Sequence, residues 1–99
     1  RLRVLDLSGN ELHEISGLAG LSALEQLCLA YNRIESLGGL QELWGPDCRL
    51  HALDIRWNRV ATLSQLLFLG GLAALQDLRV AAEDGRESSV PAKSRGVVR

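Results

Sequence analysis

Leucine and other aliphatic residues recur at fixed offsets along the chain, and three segments share one pattern. The segments are LRVLDLSGNEL at 2–12, LEQLCLAYNRI at 24–34 and LHALDIRWNRV at 50–60. Each matches LxxLxLxxNxΦ, where Φ is aliphatic, and a fourth copy begins at Leu75 but has Glu83 where asparagine is expected. The copies start at residues 2, 24, 50 and 75, that is 22, 26 and 25 residues apart. Such self-similarity predicts a protein built by stacking repeats.

Each copy divides into a strand, a bend and a helical part. The alternation in LxL predicts a short strand with its leucines facing inward. The asparagine then marks a bend, where its amide can pair with unpaired backbone groups inside the coil. We therefore predict an inward ladder of Asn10, Asn32 and Asn58. Leucines spaced by three follow, which indicates a 3₁₀ turn or short helix. The predicted fold class is α/β, a solenoid with parallel β-strands on the concave face and 3₁₀ or short helices on the convex face.

The second and third copies carry inserts on their helical side. The first insert, QELWGPDCR at 41–49, contains a Gly-Pro turn and a tryptophan, Trp44, that we expect to pack on the convex side. The second, SQLLFLGGLAA at 64–74, predicts a full helix ending near Gly70-Gly71. Residues 1–80 are thus predicted to form three repeats plus a fourth strand, and the polar, aperiodic residues 81–99 a flexible tail. Because the chain opens on RLRVLDL without methionine, we interpret it as a fragment or a partial gene product.

Strand positions between the leucines are predicted to line the concave face. Tyr31 and Trp57 share the slot before asparagine in consecutive copies, and Arg56 precedes Trp57. Tyrosine, tryptophan and arginine dominate binding hot spots, so this cluster is a candidate binding site. The alternative is that the two rings only pad the bend. The candidate binding residues of this face are Tyr31, Trp57, Arg56, Asp54, Asp6, Gln26 and Arg79.

Composition restricts the classes of partner. There are 21 leucines among 99 residues, only 4% aromatic residues, and a net charge of -1. A nearly neutral chain lacks the basic footprint of nucleic-acid or anionic-membrane binding. Residues 1–80 hold 7 arginines against 9 acidic residues, which disfavours an RNA-associated repeat protein. No apolar run reaches the ~18 residues of a membrane span. We predict protein partners, without nucleic acid or membrane.

Catalytic and metal-binding patterns are not evident in the sequence. Cys28 and Cys48 do not form a CxxC pair or a zinc-type cluster, which predicts free thiols in a reducing, cytoplasmic compartment. His13 and His51 occupy different repeat positions and are expected to be solvated. The slot after asparagine holds arginine in two copies, at positions 33 and 59, and these are expected to be solvated too. We therefore predict no enzyme activity, no catalytic residue, no metal and no cofactor.

The pattern LxxLxLxxNxΦxxΦxxLxxL over residues 2–80 resembles the leucine-rich repeat family, in its short class typified by the type-1 phosphatase regulatory subunit. This resemblance implies an intracellular protein that binds other proteins with its concave face. Residues 27–80, with the lengthened repeat before Leu50 and the SQLL segment, are similar to the amino-terminal repeats of the leucine-rich repeat and coiled-coil-containing centrosomal proteins. SSVPAKSRGVVR stands where that family has its cap and coiled coil.

Two functions follow from these resemblances. The leading hypothesis is a non-enzymatic scaffold module of a centrosomal or ciliary protein, located at the centrosome, centriole or basal body. The alternative is a module that binds a protein phosphatase. That second class would repeat acidic and aromatic residues along its concave columns, and Asp6 and Asp54 are the acidic residues that point to it.

Overall fold

The computed structural model describes residues 1–81 and 87–91 of the chain. One sheet contains five strands in chain order, namely β1 (Val4–Asp6), β2 (Gln26–Cys28), β3 (Ala52–Asp54), β4 (Asp77–Ala81) and β5 (Glu87–Pro91). Strands β1 to β4 are parallel, and β5 is antiparallel to β4. Two 3₁₀ helices, Gly38–Leu43 and Leu63–Leu69, lie in the connections before β3 and β4. The predicted α/β solenoid of parallel strands and short 3₁₀ helices is confirmed.

We call the turns that begin at Leu2, Leu24 and Leu50 the first, second and third coils.

A column of leucines aligns the parallel strands. Leu5 pairs in register with Leu27, Leu27 with Leu53, and Leu53 with Leu78. The last three side chains are at most 2% exposed. Burying a leucine contributes about 1.5–3 kcal/mol, and a slip by one residue would turn each of them outward. The strands therefore keep one register although the coils differ in length.

Backbone hydrogen bonds continue the pairing past the end of each strand. The Leu7 N–H donates to the Cys28 carbonyl at 2.8 Å, and the Leu29 N–H donates to the Asp54 carbonyl at 2.8 Å. The Ile55 N–H makes the same bond to the next strand at 2.9 Å. Each coil is thus joined to its successor before the chain turns away from the sheet.

The connection between β3 and β4 differs from the sequence-based prediction. The sequence predicts a full helix that begins in the insert at 64 and ends near Gly70-Gly71, but the structure has a 3₁₀ helix at Leu63–Leu69. Its end near Gly70 agrees with the prediction, and the Gly70 N–H donates to the Leu67 carbonyl three residues earlier at 3.0 Å. Leucines at a spacing of three fit three residues per turn, so the 3₁₀ form keeps them on one edge. Leu67 lies off that edge and is 75% exposed.

Trp44 joins the two convex connections. Its indole N–H donates to the Phe68 carbonyl at 2.9 Å. Its ring lies directly against Gly71, because a Cβ added there would overlap the indole atoms. The Gly-Pro turn after Trp44 is present, and the Cys48 N–H donates to the Gly45 carbonyl at 3.2 Å. Gly71 is thus required for the close approach of the Trp44 ring, which brings the second and third coils together.

Two polar side chains also tie neighbouring coils on this side. Oε1 of Glu42 accepts the backbone N–H of Leu18 at 2.8 Å. Oε1 of Gln65 accepts the backbone N–H of Leu37 at 2.9 Å. In both cases a side chain of one coil satisfies a backbone donor of the coil before it, where an irregular chain would leave that donor unpaired.

The last strands reach beyond the predicted repeats. β4 ends at Ala81, one residue past the predicted boundary at 80, and β5 pairs with all of β4. ESSVP at 87–91 lacks the alternation of the repeats, so no strand is predicted there from the sequence. The rest of the predicted tail, 82–86 and 92–99, lies outside the described residues, and its flexibility stays a prediction.

Candidate functional site

The side chains between the strand leucines line a shallow groove along the sheet. Its volume is about 340 Å³. Two columns of the sheet supply most of its lining, one made of Val4, Gln26, Ala52 and Asp77 and the other of Asp6, Cys28, Asp54 and Arg79. Gln26 and Arg79, two of the residues predicted for this face, are exposed in the structure. Their role in binding stays a prediction.

The central column places Cys28 between two aspartates on neighbouring strands. Its Sγ lies 3.8 Å from Oδ2 of Asp54, and Asp6 pairs with it in register on the other side. Burial raises the pKa of the Cys28 thiol, and the carboxylates of Asp54 and Asp6 raise it further, although a backbone hydrogen bond at Ala30 opposes them. The thiol therefore stays protonated near neutral pH, which makes it a poor nucleophile.

Asp6 is fixed by its neighbour Ser8 at the exposed end of this column. The Ser8 hydroxyl donates to Oδ1 of Asp6 at 2.7 Å, and the Ser8 backbone N–H donates to the same oxygen at 3.0 Å. These two bonds favour the ionised carboxylate and lower the pKa of Asp6. Asp6 thus presents a negative charge at the edge of the groove.

Arg56 and Asp54 form a bidentate pair. Nε of Arg56 donates to Oδ1 of Asp54 at 3.0 Å, and Nη2 donates to Oδ2 at 2.9 Å. The Arg56 backbone N–H adds a third bond to Oδ1 at 3.1 Å. The arginine and aspartate side chains are only 24% and 16% exposed. Arg56, which the sequence analysis groups with the two aromatic residues, is thus engaged by an aspartate of its own coil.

Tyr31 and Trp57 stack on each other at the bend that follows β2 and β3. Their ring centroids are 6.0 Å apart and the ring planes differ by 16°. Both residues have positive φ, 59° and 61°, and Gly9 has a φ of 73° in the same slot of the first coil. The sequence thus places two large side chains where the backbone favours glycine, at a cost of about 1–3 kcal/mol each. We call Tyr31 and Trp57 the aromatic pair.

The two rings of the aromatic pair differ in exposure. Tyr31 is 61% exposed, whereas Trp57 is partly buried. Nε1 of Trp57 is buried and has no acceptor among the described residues. Trp57 therefore also packs against the protein, and Tyr31 presents the more accessible aromatic surface.

Asn32 connects the first and second coils below the aromatic pair. It is buried, and its Nδ2 donates at 3.0 Å both to the Leu29 carbonyl of its own coil and to the Leu7 carbonyl of the first. Its Oδ1 accepts the backbone N–H groups of Asn10 and Leu12, each at 2.9 Å. One amide thus satisfies both backbone donors and acceptors across two coils.

Asn58 repeats these contacts one coil later. Its Nδ2 donates to the carbonyls of Ile55 at 3.2 Å and Leu29 at 2.7 Å, and its Oδ1 accepts the Ile34 N–H at 3.0 Å. Asn10 also donates to the carbonyl three residues earlier, at 2.9 Å, but it is exposed. The three predicted asparagines share one local geometry, and two of them are buried between coils.

The slot after each asparagine completes a second groove, which the sequence analysis did not identify as a site. It holds Glu11, Arg33 and Arg59, all exposed, and these residues line the groove with the aromatic pair. The volume of this groove is about 540 Å³. We call it the bend groove. Its signal in the sequence is that two arginines occupy one repeat slot, two residues after the aromatic slot.

No group of three or more His, Cys, Asp or Glu side chains that could hold a metal ion occurs in the part of the chain that the structure describes. His13 is exposed. His51 lies beside Glu25, with its Nε2 4.0 Å from a carboxylate oxygen, and Arg3 lies equally close to the other oxygen. Of the helices described, none has both the length and the apolar character needed to cross a bilayer.

Comparison with known proteins identifies the repeat. Residues 1–42 match the family of leucine rich repeats in two copies. The septation initiation network scaffold protein cdc11 of Schizosaccharomyces pombe is 39% identical over 57 residues, which are 58% of this chain and 6% of that protein. The chain therefore corresponds to a small part of this relative. No solved structure matches the chain.

Proposed function

Since this chain carries leucine-rich repeats, the repeats of a protein-interaction module, we propose that it is the non-enzymatic scaffold module of a centrosomal or ciliary protein. It would work in the cytoplasm, at the centrosome, centriole or basal body, and bind a protein partner across the concave face and the adjoining bend. The similarity to a septation scaffold protein supports the scaffold role. The raised pKa of Cys28 disfavours nucleophilic catalysis by this thiol.

The aromatic pair carries this proposal. Tyr31 is largely exposed, stacks on Trp57, and adopts a backbone conformation that tyrosine disfavours. Glycine would fill the slot without strain, as Gly9 does in the first coil. Strain kept at an exposed aromatic residue points to a use for the ring, and stacked aromatic residues anchor protein interfaces.

A protein phosphatase as the partner is the second candidate. Asp6 and Asp54 in the central concave column favour it, because that class relies on acidic concave residues. Asp54, however, is already neutralised by the bidentate contact with Arg56, which leaves Asp6 as the carboxylate held outward at the groove edge. The structure of the column therefore gives this candidate less support than the scaffold role has.

Proximity labelling in ciliated cells tests both candidates. The whole chain is fused to a biotin ligase and compared with its Tyr31→Gly variant, which removes the ring without adding backbone strain. Leu67→Gln, at an exposed convex position, is the matched control. We expect centriolar or basal-body proteins around the wild type and the control, and a strong loss around Tyr31→Gly.

The two possible contrary results differ from each other. Enrichment of a phosphatase catalytic subunit, without centriolar proteins, would favour the second candidate. Labelling equal to that of the ligase alone, or unchanged by Tyr31→Gly, would contradict binding through the aromatic pair. Melting curves of the purified variants show whether a loss of labelling comes from unfolding.

A further inference from the structure

Backbone hydrogen bonds between coils hold the bend groove, and its charges are unevenly distributed. The Arg33 N–H donates to the Leu12 carbonyl at 2.7 Å, and the Arg59 N–H donates to the Ile34 carbonyl at 2.9 Å. The same cross-coil bond thus holds both arginines, one above the other at the ~4.8 Å spacing of neighbouring strands. Glu11 holds the equivalent slot at the end of the groove formed by the first coil.

The arginines of this groove differ from two other arginines near the sheet, Arg56 and Arg3. Arg56 is bound to Asp54 through two nitrogens, and Arg3 lies 4.0 Å from Glu25. Within residues 1–81, neither Arg33 nor Arg59 has a carboxylate within 4.0 Å in the structure. Two neighbouring cations that form no ion pair outnumber the single carboxylate of the groove, Glu11, and so attract a negatively charged group.

We propose that the bend groove binds an acidic peptide segment of the partner. An apolar or aromatic side chain of that segment packs on the exposed face of Tyr31, and a neighbouring carboxylate lies between Arg33 and Arg59. Arginine pairs with carboxylates through two parallel hydrogen bonds, so one carboxylate can use both guanidinium groups. This assignment rests on the proposed function, because it names the chemistry of the partner at the same aromatic pair.

Glu11 sets the direction of the segment. Its carboxylate would repel an acidic group at the end of the groove formed by the first coil. The acidic part of the peptide therefore lies toward the third coil, where Arg59 is, and the apolar part lies over Tyr31. Replacing Glu11 by glycine removes the repulsion and also suits its φ of 57°, so this variant should bind acidic peptides more tightly.

A random peptide library displayed on phage tests the inference without knowledge of the partner. It is selected on the wild-type chain, and the enriched peptides are synthesised and measured by fluorescence anisotropy. We expect enriched sequences with aspartate or glutamate close to a large apolar residue. Arg33→Glu combined with Arg59→Glu should weaken their binding by more than about tenfold, since like charges at an interface cost several kcal/mol.

Three variants complete the design. Arg49→Glu reverses an exposed arginine of the first insert, outside both the bend groove and the concave groove, and should leave the affinity of these peptides unchanged. Arg79→Glu on β4 tests the concave face separately. Glu11→Gly should raise the affinity by about threefold, in line with removal of one exposed like charge. Circular dichroism spectra identical to that of the wild type show that the variants are folded.

The outcomes separate this inference from the proposed function. Enriched peptides that are neutral or basic, or whose binding survives both arginine reversals, would overturn the acidic-peptide assignment. If the binding of these enriched peptides is weakened instead by Arg79→Glu, the concave face still binds a protein and the proposed function stands. If no peptide is enriched on the wild type, both the inference and binding through the aromatic pair are contradicted.

Discussion

The indole N–H of Trp44 donates to the carbonyl oxygen of Phe68 at 2.9 Å, so a side chain of the second coil is fixed to the backbone of the third. The same ring covers Gly71, where no Cβ can be accommodated. This contact joins the two connections that contain the inserts. At Gly71, therefore, even one added methyl group should lower the stability of the protein measurably.

We expect Gly71→Ala to lower the free energy of unfolding by about 1–3 kcal/mol, because the added methyl group overlaps the Trp44 ring. Gly70→Ala is the matched control, since its Cβ would meet only the Leu67 carbonyl oxygen, at 3.3 Å. Urea denaturation measures both. In a Trp44→Ala background the cost of Gly71→Ala should largely disappear, and an equal cost in both backgrounds would show that the ring is not responsible.

Asn32→Leu should destabilise the protein by about 1–3 kcal/mol, because it leaves buried backbone groups of two coils unpaired. The exposed Asn10 offers the comparison. Asn10→Leu should lower the free energy of unfolding clearly less, since water can pair with the carbonyl groups that the Asn10 amide no longer reaches. Denaturant melts of the two variants give their free energies of unfolding. Equal losses would argue against a stabilising role for the buried hydrogen bonds that Asn32 makes between coils.

Tyr31→Gly should be more stable than Tyr31→Ala by about 1 kcal/mol, although glycine has the smaller side chain. The reason is the φ of 59°, which costs an L-residue about 1–2 kcal/mol and glycine almost nothing. Both variants lose the stack with Trp57, so the difference reports the backbone alone. Thermal unfolding gives the order, and a more stable Tyr31→Ala would rule out the left-handed conformation at this residue.

Cys28 should react slowly with iodoacetamide near neutral pH and faster as the pH rises, since burial raises the pKa of its thiol. The raised pKa means that the folded state holds this proton more firmly than the unfolded chain does. Its contribution to stability is therefore complete below the ordinary thiol pKa and is lost as the pH rises through the raised pKa.

Peptide mapping by mass spectrometry separates Cys28 from Cys48, and glutathione serves as the reference thiol. A Cys28→Ser variant should lose the part of the alkaline destabilisation that comes from this thiol. Alkylation of Cys28 as fast as that of glutathione at neutral pH would contradict the raised pKa.

The spacing of leucines predicts the sheet well, because one physical requirement acts at every repeat. A strand that buries Leu27 must face Leu5 and Leu53 in the same register, so the offsets in the sequence translate directly into strand pairs. The adjacency of Tyr31 and Trp57 follows from the same argument, since both hold one slot of consecutive coils.

Contacts between unlike positions are less accessible to sequence analysis. The pairing of Arg56 with Asp54 follows from i, i+2 geometry on one strand face and could have been predicted. The hydrogen bond from Leu18 to Glu42 could not, because it depends on how the insert folds back over the preceding coil. The 3₁₀ helix at Leu63–Leu69, in contrast, fits the spacing of its leucines by three, so it could have been predicted in place of a full helix.

The coils begin 22, 26 and 25 residues apart, yet the leucine column holds every strand in the same register. Extra length is therefore taken up entirely between the strands, for instance at the turn around Gly45. An epitope tag spliced into that turn would sit away from the sheet and leave the spacing of the aromatic pair unchanged. The solenoid thus offers a place for labels and fusions that keeps the recognition surface intact.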